Sequence, residues 1–333
     1  MKAAVYERYG DPEVVQIQEI EKPIPGDDDI LIKVIATTVS AVDSIFRRGN
    51  KMFPRLATGI VHPKIPVLGT ELSGVVESVG KKVHEFSPGD PVIADSGTNY
   101  GAHAEYLVIS KKDPVILKPN NLSFKEAAAV TYGALTALAF LRDNGKVQSG
   151  QKVLVLGASG SVGSYAIQLA KHLGAEVTGV CSSGNVQLVR TLGADRVIDY
   201  KKESVTDQSG RWDVIFDTVG KYSFPECKHM LTNKGLYLTT VLSFAILGQM
   251  VMTSVLRGKK AVLALTGLRP AEQKNSDLAF IKNLIEKGEL HPVIDRSYPL
   301  DEISKAYSYV DSGRKKGNVV ITVALEGGRK YHG

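Results

Sequence analysis

The chain has only two cysteines, Cys181 and Cys227, and they form no Cys-x-x-Cys pair. A four-cysteine structural zinc site is therefore excluded. Two lone thiols fit a reducing compartment, and the expected localisation is cytoplasmic. The opening stretch, MKAAVYERYG, has too short an apolar run for a signal peptide. No run of Lys and Arg is longer than Arg314-Lys315-Lys316, and no basic stripe is interleaved with aromatics. The net charge of +6 therefore does not point to nucleic acid, although it suits a polyanionic cofactor. One apolar stretch stands out, Val241–Leu256, interrupted by Gly248 and Gln249 and followed by Arg257, Lys259 and Lys260. It falls short of the roughly 20 apolar residues of a spanning helix. A buried helix near a substrate channel or at a dimer contact is expected there, with a weak peripheral membrane contact through 241–256 as the lesser alternative.

What is present is organised around Lys152–Lys171. Val153–Leu156 reads as a buried parallel strand. Gly157, Gly160 and Gly163 then mark a small-residue turn. Apolar residues at Val162, Ala166, Leu169, Ala170 and Leu173 follow at helical spacing, up to Gly174. Strand, glycine-rich turn and helix together form a seat for a diphosphate. The helix N-terminus favours negative charge, and a side chain at the contact points would hold the ligand off. The fingerprint appears as Ala158-x-Gly160-x-x-Gly163, in the strand–turn–helix context that gives it meaning. Strands and helices go on alternating to about Gly267, with strands expected at Lys152–Leu156, Glu176–Cys181, Arg196–Tyr200, Asp213–Asp217, Gly235–Val241 and Ala261–Leu265. That is the pattern of a doubly wound parallel sheet. Residues 1–123, by contrast, read as short strands punctuated by turns such as Pro88-Gly89-Asp90. A chain of 333 residues is long for one core, so two domains are expected.

The second strand ends Cys181-Ser182-Ser183-Gly184-Asn185, with no acid between Val177 and Ala194. An NAD site would place Asp or Glu there for the ribose 2′-hydroxyl. Small donors, Ser182, Ser183 and Asn185, stand in its place, and NADPH is the expected coenzyme.

These residues resemble the medium-chain dehydrogenase/reductase superfamily, in its zinc-independent quinone oxidoreductase (zeta-crystallin-like) branch. Ala158, Ser159, Gly160, Gly163, Gln168 and Lys171 match its signature, and Ser161 replaces a second adjacent glycine. Further landmarks are Gly69-x-Glu71-x-x-Gly74, Gly89-Asp90-x-Val92 and Gly101-x-x-Ala104-Glu105-Tyr106. The resemblance implies an α/β chain: a GroES-like β-rich catalytic domain plus a doubly wound Rossmann cofactor domain. The catalytic domain would run over 1–123 and resume over 268–333, with the NADP-binding domain over 124–267. It also implies a homodimer through the cofactor domain. The implied site has Ala158, Ser159, Gly160, Ser161, Val162 and Gly163 at the diphosphate. Tyr200 joins Ser182, Ser183 and Asn185 at the adenosine phosphate. Thr136 lies near the nicotinamide, and Lys316 and Asn318 close on its side. Val219, Val241 and Ser243 follow sheet strands and fall at their carboxyl ends, where doubly wound sheets bind ligands. Ser40 and Asp43 match the segment beside the nicotinamide and are the catalytic candidates, although Asp43 also reads as a helix cap.

Zinc-dependent members carry Cys and His where this chain has Ser40 and Thr70, both poor zinc ligands. None of the seven histidines falls at ligand spacing, and His103 reads as a packing residue. Tyr6, Tyr9 and Tyr132 are the candidate proton donors, none compelling. The expected activity is NADPH-dependent, zinc-independent reduction of quinones or α,β-unsaturated carbonyls. The alternatives are an enoyl-thioester or other activated-alkene reductase, and an NADPH-binding protein with membrane or nucleic-acid association.

Overall fold

The computed structural model describes residues 1–50, 52–255 and 257–324. Residues 326–333, which read from the sequence as a polar tail, and Leu256 of the apolar stretch lie outside them. Two compact units emerge, Met1–Tyr132 with Pro270–Glu286 and Pro292–Gly333, and Gly133–Arg269 with Lys287–His291. Against the expected boundaries, residues 124–132 group with the first unit, and the short Lys287–His291 segment groups with the second.

The first unit is built on strands β1 (Lys2–Tyr6), β2 (Val15–Glu19), β3 (Asp29–Val39), β4 (Glu71–Val79), β5 (Pro91–Asp95), β6 (Tyr106–Ser110) and β7 (Val115–Leu117). β1 and β2 pair antiparallel, with the turn residues Gly10-Asp11-Pro12 between them. The long β3 is the spine of the larger sheet: it pairs with β4 and with β6. Its apolar residues Ile30, Ile32 and Val34 point into one core with Leu72, Val76 and Val92, and Leu31 and Ile35, on its other face, are buried as well.

The second unit carries β8 (Lys152–Leu156), β9 (Glu176–Cys181), β10 (Arg196–Asp199), β11 (Trp212–Asp217), β12 (Leu231–Thr239) and β13 (Lys260–Leu263). All pair in parallel, in the order β10-β9-β8-β11-β12-β13. The order reverses between β8 and its neighbours β9 and β11, so the crevice beyond the carboxyl end of β8 is the topological switch point where such sheets bind ligands. Val153, Leu154, Val155 and Leu156 are fully buried, as a strand covered on both faces requires. The chain then returns to the first unit, where β14 (Ile294–Pro299) and β15 (Asn318–Thr322) extend the β3 sheet, β15 pairing with β3.

Two expectations are corrected. The Ala- and Leu-rich run Ala127–Leu141 reads from its composition as one helix, which the structure does not bear out. Ser123, with Glu126 three residues on, has the sequence spacing of a capping box and forms one, but the helix stops at Ala128, a second runs over Thr131–Leu138, and a π-helix over Ala139–Asn144 follows. The apolar stretch after β12 is not a buried helix either. It forms Phe244–Val255, of which only Ile246 and Thr253 are buried.

Candidate active site

The glycine turn after β8 sets the site. Gly157 has φ 79°, a conformation that L side chains rarely adopt. A Cβ there would sit 2.5 Å from Val219 Cγ1 and 2.7 Å from Thr218 Oγ1. A Cβ on Gly163 would run into the Gly157 carbonyl oxygen and lie 2.8 Å from its carbonyl carbon and 2.9 Å from Ala158 Cα. The helix Ser161–His172 begins at Gly160, which has no side chain to cap it. Its N-terminal dipole and backbone donors therefore face the crevice with no built-in anion. Val162 is one of the first helical residues, and Ala158 and Ser159 are buried in the turn. The donor geometry and the missing side chains fit a diphosphate.

Of the expected cofactor residues of this unit, Asn185 and Val219 pack on that turn. Asn185 Nδ2 donates to Ser159 Oγ at 2.9 Å, tying the loop after β9 to the turn. Thr218 donates its hydroxyl to the Leu156 carbonyl at 2.8 Å, and Val219 packs on Gly157. A Cβ on Gly220 would meet Val241 Cγ2 at 2.6 Å, so the ends of β11 and β12 abut. Gly133 brings the Thr131–Leu138 helix against Ser161 and Tyr165. Thr136, on that helix, has its hydroxyl 3.3 Å from that of Thr266. Ser243 acts locally: its Oγ accepts the Ile246 N–H at 3.3 Å and starts the exposed helix.

Sequence reading misses three contributors here. Asp217 is fully buried at the end of β11. One carboxylate oxygen accepts from the Val219 and Gly220 N–H groups at 3.0 and 2.8 Å, and the other from the Tyr237 hydroxyl at 2.9 Å. It thus fixes the turn that packs over Gly157. Desolvation raises its pKa, and these donors pull it back. The other two are lysines at Tyr200, which follows β10 and is 41% exposed. Lys221 Nζ lies 5.0 Å and Lys201 Nζ 5.6 Å from the Tyr200 ring centre. An aromatic ring with an ammonium on each of two loops suits a phosphate monoester. Lys201 is visible next to Tyr200 in the sequence; Lys221 arrives from the loop after β11. The structure also modifies one donor. The Ser183 hydroxyl engages the Asp199 carboxylate and, with the Lys201 N–H, holds its pKa below the usual value.

In the first unit, Ser40 and Asp43 turn out to be a capping box. The helix is Ala41–Arg48, with Ser40 rather than Asp43 at its N-cap and Asp43 in its first turn. Ser40 N–H and Oγ–H donate to Asp43 Oδ2 at 2.8 and 2.6 Å, and the Asp43 N–H donates back to Ser40 Oγ at 3.2 Å. Asp43 Oδ1 accepts the Gly69 N–H at 3.2 Å. Both residues therefore hold a helix and a loop together. Lys316 and Asn318 are likewise tied down within this unit. The Lys316 N–H donates to Asp295, and the Asn318 N–H donates to the Val293 carbonyl.

Glu71 is the unit's most perturbed carboxyl. It is buried, and it accepts from the Thr38 hydroxyl, from the Thr131 hydroxyl at 3.1 Å and from the Tyr132 N–H at 2.9 Å. Desolvation lifts its pKa from 4.5 to about 7 despite those donors, with the Asp43 carboxylate adding to the rise. A folded-state value above the unfolded one means that Glu71 favours the fold most below about pH 4.5. That contribution fades as pH rises to about 7 and stays lost above it. The span is on the order of 3 kcal/mol. Urea midpoints of the native protein should therefore fall from pH 5 to pH 8 more steeply than those of Glu71→Gln. Parallel profiles would contradict this assignment.

The position of a catalytic zinc does not fit the metal. Ser40 Oγ is occupied with Asp43, and Ser40 and Thr70 offer neutral hydroxyls where zinc wants thiolate or imidazole. His103 is buried, with Nε2 2.8 Å from the Thr38 carbonyl and Nδ1 3.3 Å from the Tyr307 hydroxyl. Burial lowers its pKa. Among the described residues, no group of three or more His, Cys, Asp or Glu is placed to hold a metal.

Comparisons with known proteins agree with this architecture. The family model "Alcohol dehydrogenase GroES-like domain" matches residues 26–120, and "Zinc-binding dehydrogenase" matches 192–321. A 2-methylene-furan-3-one reductase of Solanum lycopersicum is 34% identical over 339 residues, spanning 96% of this chain and 79% of that protein. The chain belongs to the medium-chain dehydrogenase/reductase superfamily, in its quinone oxidoreductase branch. A chloroplastic NADPH-dependent alkenal/one oxidoreductase of Arabidopsis thaliana is 32% identical over 344 residues, covering 96% of this chain and 79% of that protein. The solved quinone oxidoreductase of Coxiella burnetii superposes with a TM-score of 0.86 at 27% identity, covering 97% of this chain and 99% of that one. This dehydrogenase/reductase has Ser40 and Thr70, both neutral hydroxyls, where zinc-dependent members carry Cys and His.

Proposed function

We propose that this protein is an NADPH-dependent reductase of quinones or α,β-unsaturated carbonyl compounds that works without zinc. The carrying observation is the Gly157–Gly163 turn at the sheet's switch point, with Tyr200, Lys201 and Lys221 grouped apart from it. The turn and the uncapped Ser161–His172 helix hold the diphosphate. The Tyr200 group holds the 2′-phosphate. Asp217 keeps the Thr218–Gly220 turn in place beside Gly157. The bound coenzyme supplies a hydride to a carbon conjugated with the substrate carbonyl. Solvent water supplies the proton to the resulting enolate or hydroquinone anion, so no dedicated acid is required. Tyr6 and Tyr9 do not serve: Tyr6 is buried, and the Tyr9 hydroxyl is bound to Thr58 and the Gly59 carbonyl.

The same reading includes a homodimer formed on the free edge of β13, a weak peripheral membrane contact through 241–256, and a cytoplasmic or similarly reducing compartment. Two buried thiols favour the last, with pKa values pushed up by burial to about 11 at Cys181 and about 12 at Cys227. The test is NADPH oxidation against a panel of quinones, enones and enoyl thioesters, with and without a chelator. Turnover of quinones or enones at the same rate with chelator is expected. Turnover of enoyl thioesters alone, or loss of activity with chelator, would overturn the reading.

A further inference from the structure

We propose that the helix Phe244–Val255, with the cations gathered at its C-terminal end, docks the protein on a bilayer rich in anionic headgroups. This specifies the peripheral contact proposed above and rests on it. The helix contains no charged residue, yet its apolar side chains face solvent: Phe244 is 95% exposed, Val251 70% and Val255 83%, with Leu247 and Met252 beside them. Steps of three and four residues put 244, 247, 251 and 255 on one stripe. The opposite side is fastened to the sheet. Ile246 packs in the core with Ala261, and Thr253 Oγ1 accepts the Ala261 N–H at 3.2 Å. The stripe therefore turns away from β13, the edge open to a second copy.

Charge selects the occupant. From Cys227 to Ala271 the chain has no Asp or Glu, although it has 35 elsewhere. Within that span Lys228, Lys234, Arg257, Lys259 and Lys260 converge where the helix ends. Lys259 Nζ donates to the Lys228 carbonyl at 2.8 Å, and Gly258 lies against the Asn233 carbonyl, next to Lys234. An apolar stripe ending in a group of cations, with Asp213 held at Thr232 as a carboxylate nearby, complements the acyl-chain boundary and anionic headgroups of a bilayer. The helix has 12 residues and is about 18 Å long, so it lies in the interface. Among the described residues, no helix is long and apolar enough to cross. A protein held there meets quinones and enones that partition into lipid, and these are the substrates the surface would favour.

The test is flotation of the full chain with phosphatidylcholine vesicles, with and without an equal share of phosphatidylserine. Flotation with the anionic vesicles is expected. It should fall about tenfold in high salt and in the double variant Lys228→Glu/Lys260→Glu, and likewise in Val251→Glu/Val255→Glu. Both double variants should oxidise NADPH with a water-soluble quinone as the native protein does. Absence of flotation, or flotation unchanged in the variants, overturns the proposal. So does a native protein that ignores vesicles while Val251→Glu/Val255→Glu converts a dimer to monomer, which would make the stripe an interface between copies. Flotation without any quinone or enone turnover would leave the docking standing and remove the reductase reading.

Discussion

Gly163→Val is expected to weaken NADPH binding at least about 100-fold, close to 3 kcal/mol. A Cβ at 163 meets only backbone, the Gly157 carbonyl and Ala158 Cα, so no neighbouring side chain can swing aside. The turn must open, and the helix N-terminus then moves away from the diphosphate. Two companions calibrate the result. Gly160→Ala places its Cβ 3.3 Å from the Gly157 oxygen, a tight but tolerable contact, and should cost about tenfold. Gly150→Ala has φ 80° with nothing within 4 Å. It should lose about 1 kcal/mol of stability through backbone strain and bind NADPH normally. Fluorescence titration with NADPH, alongside circular dichroism melts, measures all three. Equal affinities across the series would remove the turn from the site.

The second large effect concerns which coenzyme is chosen. Lys221→Glu should lower NADPH affinity about 10- to 100-fold and leave NADH affinity within about twofold. The substitution removes one charge-assisted contact to the 2′-phosphate, worth roughly 1.5–3 kcal/mol, and sets a like charge in its place. NADH carries only a hydroxyl there and has nothing to lose. Titrating both coenzymes against native and variant protein separates the cases. A parallel loss for both would mean that Lys221 supports the loop rather than the phosphate.

How far the sequence carries these conclusions depends on range. Buried parallel strands announce themselves locally: Lys152–Leu156 and Glu176–Cys181 are legible with their observed bounds, because β-branched runs between glycine turns have few other uses. The Ser123 cap is equally legible, since both partners lie within one turn. Residues brought together by the fold are not. Nothing near Tyr200 announces Lys221, and nothing near Glu71 announces Thr38 or Thr131. Ser40 and Asp43 stand where the resemblance places reactive residues, but their hydrogen bonds are spent on the Ala41–Arg48 helix and Gly69. The Val241–Leu256 stretch misleads for another reason. Apolar composition sets the free energy of burial but does not say what does the burying, and here the chain leaves the Phe244–Val255 face to something else.

The central claim is that the Gly157–Gly163 turn seats a reduced pyridine nucleotide. Titration of the purified protein with NADPH, read by coenzyme fluorescence, tests it most directly. The account predicts saturable binding at one site per chain, weakened by Gly163→Val and tighter than for NADH. An unchanged fluorescence signal at millimolar NADPH, from protein shown to be folded, would contradict it.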